Sequence, residues 1–392
     1  MRDQKLGAYL PAAALPVLGL GLKNKTTMAS TKEDETSMLD ALFGFISLGV
    51  SVGKKDNETE PAKENGTEKT PTKKLCSACG KKSDTLKKCN GCLCVWYCDK
   101  KCQNKHRKEH KKECKVIKEI LDKRGGKLDV GTELNVHVGP PLGELFPQEE
   151  CPICMQVLPI HAALRTYSNC CGKLLCGGCG NHHNMKQDAE RGQKPVLLTC
   201  AFCRTTLPKT DEEIVVRLQK RAKKNDPNAL LSMTINVYGI GQLGLPVDQA
   251  KCIDLLRQSD DLGFPPAQAQ LGDYYYDGEM GLEQNEEVAL RYWEKAAEGG
   301  HLPALYNLGC IENNSGNSTA ALRHLRLAAL GGHKLSMGAL IGCFEHGLLH
   351  HGDLAKNLQA FYRARAEMKS EGRDQFIKLL KETGEYQEEY DL

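Results

Sequence analysis

The sequence has little excess charge of either sign and no long uninterrupted apolar run. Its 53 Lys and Arg residues nearly balance 50 Asp and Glu residues, and a formal net charge of +3 favours no particular class of partner. The apolar stretch Leu6–Leu22 is interrupted by Pro11 and Pro16 and is shorter than the roughly 20 residues that a membrane-spanning helix needs. It follows Arg2 and Lys5 as in a signal peptide, but we favour an unstructured leader, because secretion would oxidise the cysteines described next.

Cysteine, in contrast, is abundant and concentrated in one part of the chain. Sixteen of the nineteen cysteines lie between Cys76 and Cys203, and most form Cys-x-x-Cys pairs with histidines among them. Disulfide frameworks belong to small secreted chains, whereas such pairs in a long, lysine-rich chain indicate thiolate ligands of zinc. Because these thiolates need reducing conditions, we expect a cytoplasmic or nuclear protein without a membrane span.

Composition and repetition divide the chain into five predicted segments. The stretch KKDNETEPAKENGTEKTPTKK, at 54–74, has too few apolar side chains to bury and predicts disorder. The segments are a disordered leader (1–74), a first zinc module (75–115), a Gly- and Pro-bearing linker (116–147), a second zinc module (148–210) and helical repeats (211–392). The predicted fold class is therefore multi-domain, with two small, irregular α+β cross-brace zinc modules followed by an all-α solenoid.

The C-terminal segment repeats at intervals of 32 to 38 residues, measured between the dipeptides at 228, 266, 303 and 335, each of which begins a helical pattern. The clearest unit, at 266–301, predicts two helices that approach closely at Gly272, the second of which ends at Gly299. Its A-x-x-x-L-G-x-x-Y core and W-x-x-K-A-A-E-x-G ending resemble the Sel1-like repeat, a relative of the tetratricopeptide repeat. The resemblance implies a helical solenoid that presents a surface to other proteins.

The first zinc module offers eight metal ligands in four pairs. Their order is Cys76-x2-Cys79-x9-Cys89-x2-Cys92-x5-Cys98-x3-Cys102-x7-His110-x3-Cys114. Eight such ligands complete two tetrahedral zinc sites and leave no open position for a catalytic water. The spacing resembles the MYND finger over its full length. That resemblance implies interleaved pairs, with Cys76, Cys79, Cys98 and Cys102 on one zinc and Cys89, Cys92, His110 and Cys114 on the other.

MYND fingers are protein-interaction modules that often take proline-containing peptides. Here Gln103 matches the family's Cys-Gln step, but Arg107 replaces the usual tryptophan, on which a peptide proline would pack better. The tail from Lys100 to Lys127 has twelve Lys or Arg against four Asp or Glu. A solvated helix face accounts for it, and no aromatic side chains interleave for base stacking, so nucleic-acid binding is not expected. The Asn-His-x-Cys signature of the methyltransferases that carry some MYND fingers is absent, which excludes methyl transfer.

The second zinc module resembles a RING domain, because CPIC, CCGKLLCGGC and CAFCR follow one another in RING-type order. The resemblance implies one zinc site built from Cys151, Cys154, Cys176 and Cys179. The other site contains Cys171, Cys200 and Cys203 and needs a fourth ligand, since Lys173 stands where RING domains usually have histidine. Cys170, His182 and His183 are the candidates. We favour Cys170, because the adjacent-cysteine step lies where the third and fourth ligands normally occur.

RING domains hold a ubiquitin-charged conjugating enzyme in position and do no covalent chemistry themselves. The resemblance makes Ile153 and Arg204 candidate contacts to such an enzyme, whereas Lys173 and Ala201 depart from the family pattern. We therefore expect a zinc-binding protein-interaction adaptor or scaffold. The alternative is a RING-type ubiquitin ligase that recruits substrates through its helical repeats. Either protein would hold two structural zinc ions in the first module and one or two in the second.

Overall fold

The structure, a computed structural model, describes residues 75–83, 85–126, 146, 148–181 and 198–384. The predicted leader, most of the predicted linker and the candidate ligands His182 and His183 lie outside these residues. Within the described part, cysteine-rich modules with short strands are followed by consecutive helices, so the predicted fold class is confirmed there. No helix in these ranges is long and apolar enough to cross a membrane.

The first module consists of a two-stranded antiparallel sheet and one long helix. Strands β1 (Lys87–Lys88) and β2 (Trp96–Tyr97) pair with each other, and helix α1 (Lys100–Lys123) follows. Asp99 caps the helix, because its Oδ1 accepts a hydrogen bond of 2.8 Å from the backbone N–H of Cys102. The helix continues past residue 115, where we placed the end of the module, because the buried face of α1 continues through Ile117 and Ile120.

The second module is built around a β-hairpin. A short 3₁₀ turn (Ala162–Leu164) leads into strand β3 (Arg165–Ser168), which pairs antiparallel with β4 (Lys173–Cys176). The register pairs Arg165 with Cys176 and Ser168 with Lys173, so residues 169–172 form the hairpin turn. Gly172 lies in this turn with a φ of 72°, a conformation that favours glycine. A helical turn follows at 177–181.

The repeat region is a succession of short helices joined by tight turns. Its helices are α2 (Asp211–Ala222), α3 (Pro227–Ser232), a π-helical segment (Met233–Gly239), α4 (Gln249–Asp261), α5 (Pro265–Asp277), α6 (Glu286–Glu298), α7 (Leu302–Asn314), α8 (Ser318–Leu330), α9 (Lys334–Glu345), α10 (His351–Glu367) and α11 (Glu371–Thr383). Helices α5 and α6 form the clearest predicted unit. A Cβ added to Gly272 would lie 2.5 Å from Trp293 Cδ1, so the predicted close approach is confirmed.

The apolar cores do not follow the module boundaries. Val95 and Ile117 of the first module share one buried cluster with Phe344 and Leu358 of α9 and α10. The first module is therefore packed onto the C-terminal end of the repeats, although its ligand spacing gives no sign of this contact.

A buried arginine and a small apolar cluster join the second module to α11, where Leu380 packs on Ala163 and Leu164. Arg373 is 2% exposed, and its guanidinium donates to the carbonyl oxygen of Val157 at 2.7 Å and to that of Gln156 at 3.4 Å. The backbones meet where Gly178 faces Gly372, since a Cβ on Gly178 would lie 2.6 Å from the Gly372 carbonyl carbon. Both zinc modules thus contact the C-terminal helices.

Candidate metal centres

The sixteen residues that the sequence marks as ligands come together in four groups of four. In each group the Sγ or ring nitrogen atoms all lie within 4.8 Å of one another. The groups are Cys76, Cys79, Cys98 and Cys102; Cys89, Cys92, His110 and Cys114; Cys151, Cys154, Cys176 and Cys179; and Cys170, Cys171, Cys200 and Cys203. In both modules the first and third ligand pairs share one group and the second and fourth share the other, which is the interleaved arrangement that the resemblances imply.

The distances within the groups fit a tetrahedral zinc ion. Zn–S bonds of 2.3 Å place two tetrahedral sulfur ligands roughly 3.8 Å apart. The Sγ atoms of Cys79 and Cys98 are 3.6 Å apart, and those of Cys154 and Cys176 are 3.9 Å apart. Sets of four thiolates, or of three thiolates and one imidazole, are typical of structural zinc. The residues present therefore fit the metal that the spacing predicts.

Four Cys-x-x-Cys loops share one backbone conformation, which turns both sulfur atoms toward the same side. The residue after the second cysteine has a positive φ in each loop: 71° at Gly80, 58° at Leu93, 55° at Met155 and 62° at Arg204. Its N–H donates to the carbonyl oxygen of the first cysteine, at 2.8 to 3.0 Å. Non-glycine residues reach this region at a cost of about 1 kcal/mol or more, which a bound metal ion would offset.

The last ligand pair of the first module comes from a helix. His110 and Cys114 lie four positions apart on α1, so their side chains project from the same face, as the spacing predicts. His110 Nε2 lies 3.2 Å from Cys92 Sγ, and Cys114 Sγ lies 3.6 Å from Cys89 Sγ. The Nε2 atom is thus the ring nitrogen that faces the metal position.

The fourth group, which is the second one in the RING-like module, includes Cys170, the ligand that we favoured. Cys170 Sγ lies 3.4 Å from Cys203 Sγ, and Cys171 Sγ lies 4.0 Å from Cys200 Sγ. Lys173, which occupies the usual histidine position, is exposed, and its Nζ lies 5.9 Å from the ring centre of Phe202. Two adjacent cysteines in the hairpin turn can therefore complete the group without a ligand at position 173.

Hydrogen bonds between thiols separate their pKa values in the second module. The Cys176 side chain lowers the pKa of the Cys151 thiol to about 4, although burial opposes this effect. The Cys170 side chain lowers the pKa of Cys200 to about 4 in the same way. The pKa of Cys203, in the same group as Cys200, is lowered as well, and the thiolate is the metal-binding form of cysteine.

Two residues of the first module that are spare by the family pattern are buried beside the metal ligands. His106 is 4% exposed, and its Nδ1 lies 2.9 Å from the Tyr97 hydroxyl. Cys94 is fully buried, and its Sγ lies 3.3 Å from Nε2 of His351, in α10. Ligand spacing alone could not identify His351 as a contact of Cys94, because the two residues lie 257 positions apart.

The candidate contacts to a conjugating enzyme occupy different environments. The side chain of Ile153 is 41% exposed and belongs to a set of exposed apolar residues in the metal loops that includes Met155, 68% exposed, and Phe202, 41% exposed. Arg204 contributes its backbone to the fourth loop through its positive φ and the N–H bond to Cys200. Any residue introduced at position 204 must therefore adopt the same positive φ.

Comparison with known protein families identifies a MYND finger and Sel1 repeats in this chain. The family model of the MYND finger matches residues 76–114, and that of the Sel1 repeat matches residues 230–264, 265–301 and 302–333. The chain therefore contains a MYND finger and three Sel1 repeats, which confirms both resemblances. The fourth unit that we predicted, from Leu335, follows the matched residues, and α9 and α10 continue the helical pattern there.

Solved structures give partial matches. A protective antigen of uropathogenic Escherichia coli strains, with an SLR fold, is 21% identical over 45% of this chain and 38% of its own, with a TM-score of 0.35. A Sel1 repeat protein from Oxalobacter formigenes is 27% identical over 32% of this chain and 96% of its own, with a TM-score of 0.30. This chain thus spans less than half the length of the E. coli antigen. A search of the curated proteins finds no match.

Proposed function

We propose that this protein is a zinc-stabilised adaptor whose finger and repeats bind other proteins. Convergence of sixteen ligand atoms into four tetrahedral groups is the observation that supports the zinc assignment most directly. The MYND finger and the Sel1 repeats support the role in protein interaction, because both families act through surfaces rather than through reactive groups. We further propose a cytoplasmic or nuclear location, since thiolate ligands need a reducing compartment.

The finer proposal assigns one zinc ion to each group, hence about four ions per chain. For fragment design we keep the predicted segment boundaries, but we extend the first module to the end of α1 at Lys123. Within the first module all eight proposed ligands belong to the stretch that the MYND family model matches.

Metal content of the full chain tests this assignment. We expect native mass spectrometry to find about four zinc ions, and Co²⁺ substitution to give the intense absorption of tetrahedral cobalt thiolates. A Cys176→Ser variant should lose one ion. A matched Cys310→Ser variant should keep all of them, since Cys310 is a partly buried cysteine outside the four groups. A chain that binds no zinc, or that binds the same number after Cys176→Ser, would contradict the proposal.

Ubiquitin transfer is the second candidate function, and the exposed side chains of Ile153, Met155 and Phe202 are the observation that favours it. Apolar side chains beside the metal loops could contact a conjugating enzyme and hold its thioester ready for attack. Under this alternative the helical repeats would recruit the substrate. A conjugating enzyme is a proposed partner under this candidate alone.

Discharge of ubiquitin from a panel of charged conjugating enzymes separates the two functions. The ligase candidate predicts discharge by the zinc-loaded full chain, its loss in Ile153→Ala, and its retention in Val216→Ala, which changes an exposed apolar residue on α2. Position 204 is best changed to glycine, because glycine accepts the positive φ at that position. The adaptor proposal predicts no discharge by any of these proteins while their zinc content stays unchanged.

A further inference from the structure

The imidazole of His110 is held from both sides in the first module. Its Nε2 faces the thiolate group, 3.2 Å from Cys92 Sγ, and its Nδ1 lies 3.2 Å from the hydroxyl oxygen of Tyr362, in α10. A histidine that binds a metal through Nε2 carries its proton on Nδ1, so His110 would donate this N–H to the Tyr362 oxygen. The tyrosine is thus placed to fix both the tautomer and the orientation of the ring.

A carboxylate extends this hydrogen-bond chain. The Tyr362 hydroxyl donates to Glu113 Oε2 at 3.0 Å, so protons are donated in sequence from His110 to Tyr362 and from Tyr362 to Glu113. His110 and Tyr362 are 4% and 5% exposed, respectively, and hydrogen bonds shielded from water are electrostatically stronger. Outer partners that orient a metal-binding histidine and raise its basicity typically change metal affinity by about 10- to 100-fold when they are mutated.

Helix α10 also holds the backbone of the loop that carries Cys92. His351 Nε2 lies 2.9 Å from the Cys92 carbonyl oxygen, and Gln359 Nε2 donates to the Cys94 carbonyl oxygen at 3.0 Å. His351, Gln359 and Tyr362 are spaced eight and three positions apart, which places them on one face of the helix. One helix of the repeat region therefore contacts two of the four proposed ligands, Cys92 through its loop and His110 through its ring.

We propose that α10 forms the outer shell of the Cys89, Cys92, His110 and Cys114 metal site, with Tyr362 as the residue that positions His110. Metal binding at this site and docking of the finger on the repeats then stabilise each other, because coupling between two equilibria is reciprocal. The site is thus a metal-dependent joint between the finger and the repeats. This inference rests on the proposed presence of zinc in the group.

The rate of zinc release from the full chain, measured with an excess of chromogenic chelator, tests whether α10 supports the metal site. Tyr362→Phe removes one hydroxyl and keeps the ring within the apolar cluster shared by the finger and the repeats. We expect one of the bound ions to leave about 10- to 100-fold faster than in the parent, with the others unchanged. In the Co²⁺-substituted protein, the absorption of the one site with three thiolates and an imidazole should change, while that of the all-thiolate sites should not.

Tyr97→Phe is the matched control. It also removes a buried hydroxyl bonded to a histidine of the first module, but that histidine, His106, is outside the four ligand groups and meets His110 and Tyr362 only through its ring, at centroid distances of 5.6 and 4.4 Å. Its zinc release should equal that of the parent. Glu113→Gln provides a second variant that weakens the same hydrogen-bond chain on the surface of α1, and we expect faster release of the same ion.

The outcomes separate this inference from the function on which it rests. If the parent binds zinc and both Tyr362→Phe and Glu113→Gln release it at the parent rate, the proposed role of α10 at the metal site is wrong. The zinc assignment then stands. If Tyr97→Phe accelerates release as much as Tyr362→Phe, the effect is loss of packing, and the positioning role is wrong. If Tyr362→Phe does not fold, release from Glu113→Gln decides the question. If the parent binds no metal, the proposed function itself is wrong.

Discussion

The zinc modules and the repeats are stabilised by different means. The second module buries a small apolar cluster, in which Leu158 and Leu175 pack between metal-binding cysteines. The repeats bury extended clusters of aliphatic side chains, such as the one that contains Leu230, Leu256 and Leu271. Modules with so little apolar surface to bury usually depend on a metal or on disulfides. Replacement of a metal ligand should therefore cost nearly all of the stability of its site, whereas substitutions in the repeats should lower the free energy of unfolding by graded amounts.

The largest effect is expected from loss of a buried ligand in the second module. Cys176→Ser should release the zinc ion of its own group and unfold the part of the second module that this ion holds, because structural zinc contributes about 10 to 16 kcal/mol to folding in small finger peptides. Helix α10 should keep its helical signal, since it belongs to the apolar cluster shared by the repeats and the finger, whereas α11 should lose protection because its Leu380 packs on Ala163 and Leu164 of the second module. Hydrogen exchange followed by mass spectrometry would locate the change. Unfolding that spreads through all the repeats would contradict the expected difference between the metal-dependent modules and the repeats.

A smaller but still large effect is expected at the contact between the second module and α11. Arg373→Ala removes buried, charge-assisted hydrogen bonds and leaves the carbonyl oxygens of Val157 and Gln156 without this donor. We expect a loss of about 3 kcal/mol in the free energy of unfolding, measured with urea. The metal of the Cys151, Cys154, Cys176 and Cys179 group should also be held less tightly, because the Arg373 guanidinium donates to Cys154 Sγ at 3.7 Å.

Two glycine substitutions give a graded test within the repeats. Gly272→Ala would place a Cβ 2.5 Å from Trp293 Cδ1, and such overpacking should destabilise the protein by about 1 to 3 kcal/mol. Gly338→Ala, within α9, meets no atom within 4 Å and should stabilise the protein by about 0.5 to 1 kcal/mol. Equal effects in urea unfolding would show that the second Sel1 repeat, at residues 265–301, is not packed as tightly as its core predicts.

The smallest effect is expected from pH acting on a histidine of the repeats. Burial, with Arg165 and His333 nearby, lowers the pKa of His301 to about 3, below the ordinary value of 6.5. The unfolded chain then binds more protons, so the stability contributed above pH 6.5 is lost as the pH falls from 6.5 toward 3. His301 is only partly buried, so its slope should be at most about 1 kcal/mol per pH unit. His301→Asn should reduce this slope and still cap α7. An unchanged slope in urea unfolding between pH 7 and 5 would contradict this assignment.

Periodicity and spacing predicted most of the local structure, because those signals depend on residues close together in the chain. The predicted unit at 266–301 became α5 and α6, and Gly272 and Gly299 have the roles that their positions suggested. The end of the first module was less predictable. Ile117 and Ile120 extend the buried face of α1 because they pack on the repeats, and no signal within the finger reveals that partner.

The sequence by itself determined which side chains are available as metal ligands, and the family resemblances implied how they divide into groups, with Cys170, His182 and His183 as candidates for one position. It also determined the repeat period and the glycines that let helices approach. Only the tertiary structure decided which groups surround those ligands. Tyr362 reaches His110 across 252 positions and Arg373 reaches Val157 across 216 positions. Contacts over such separations are specified by packing and leave no periodic trace in the chain.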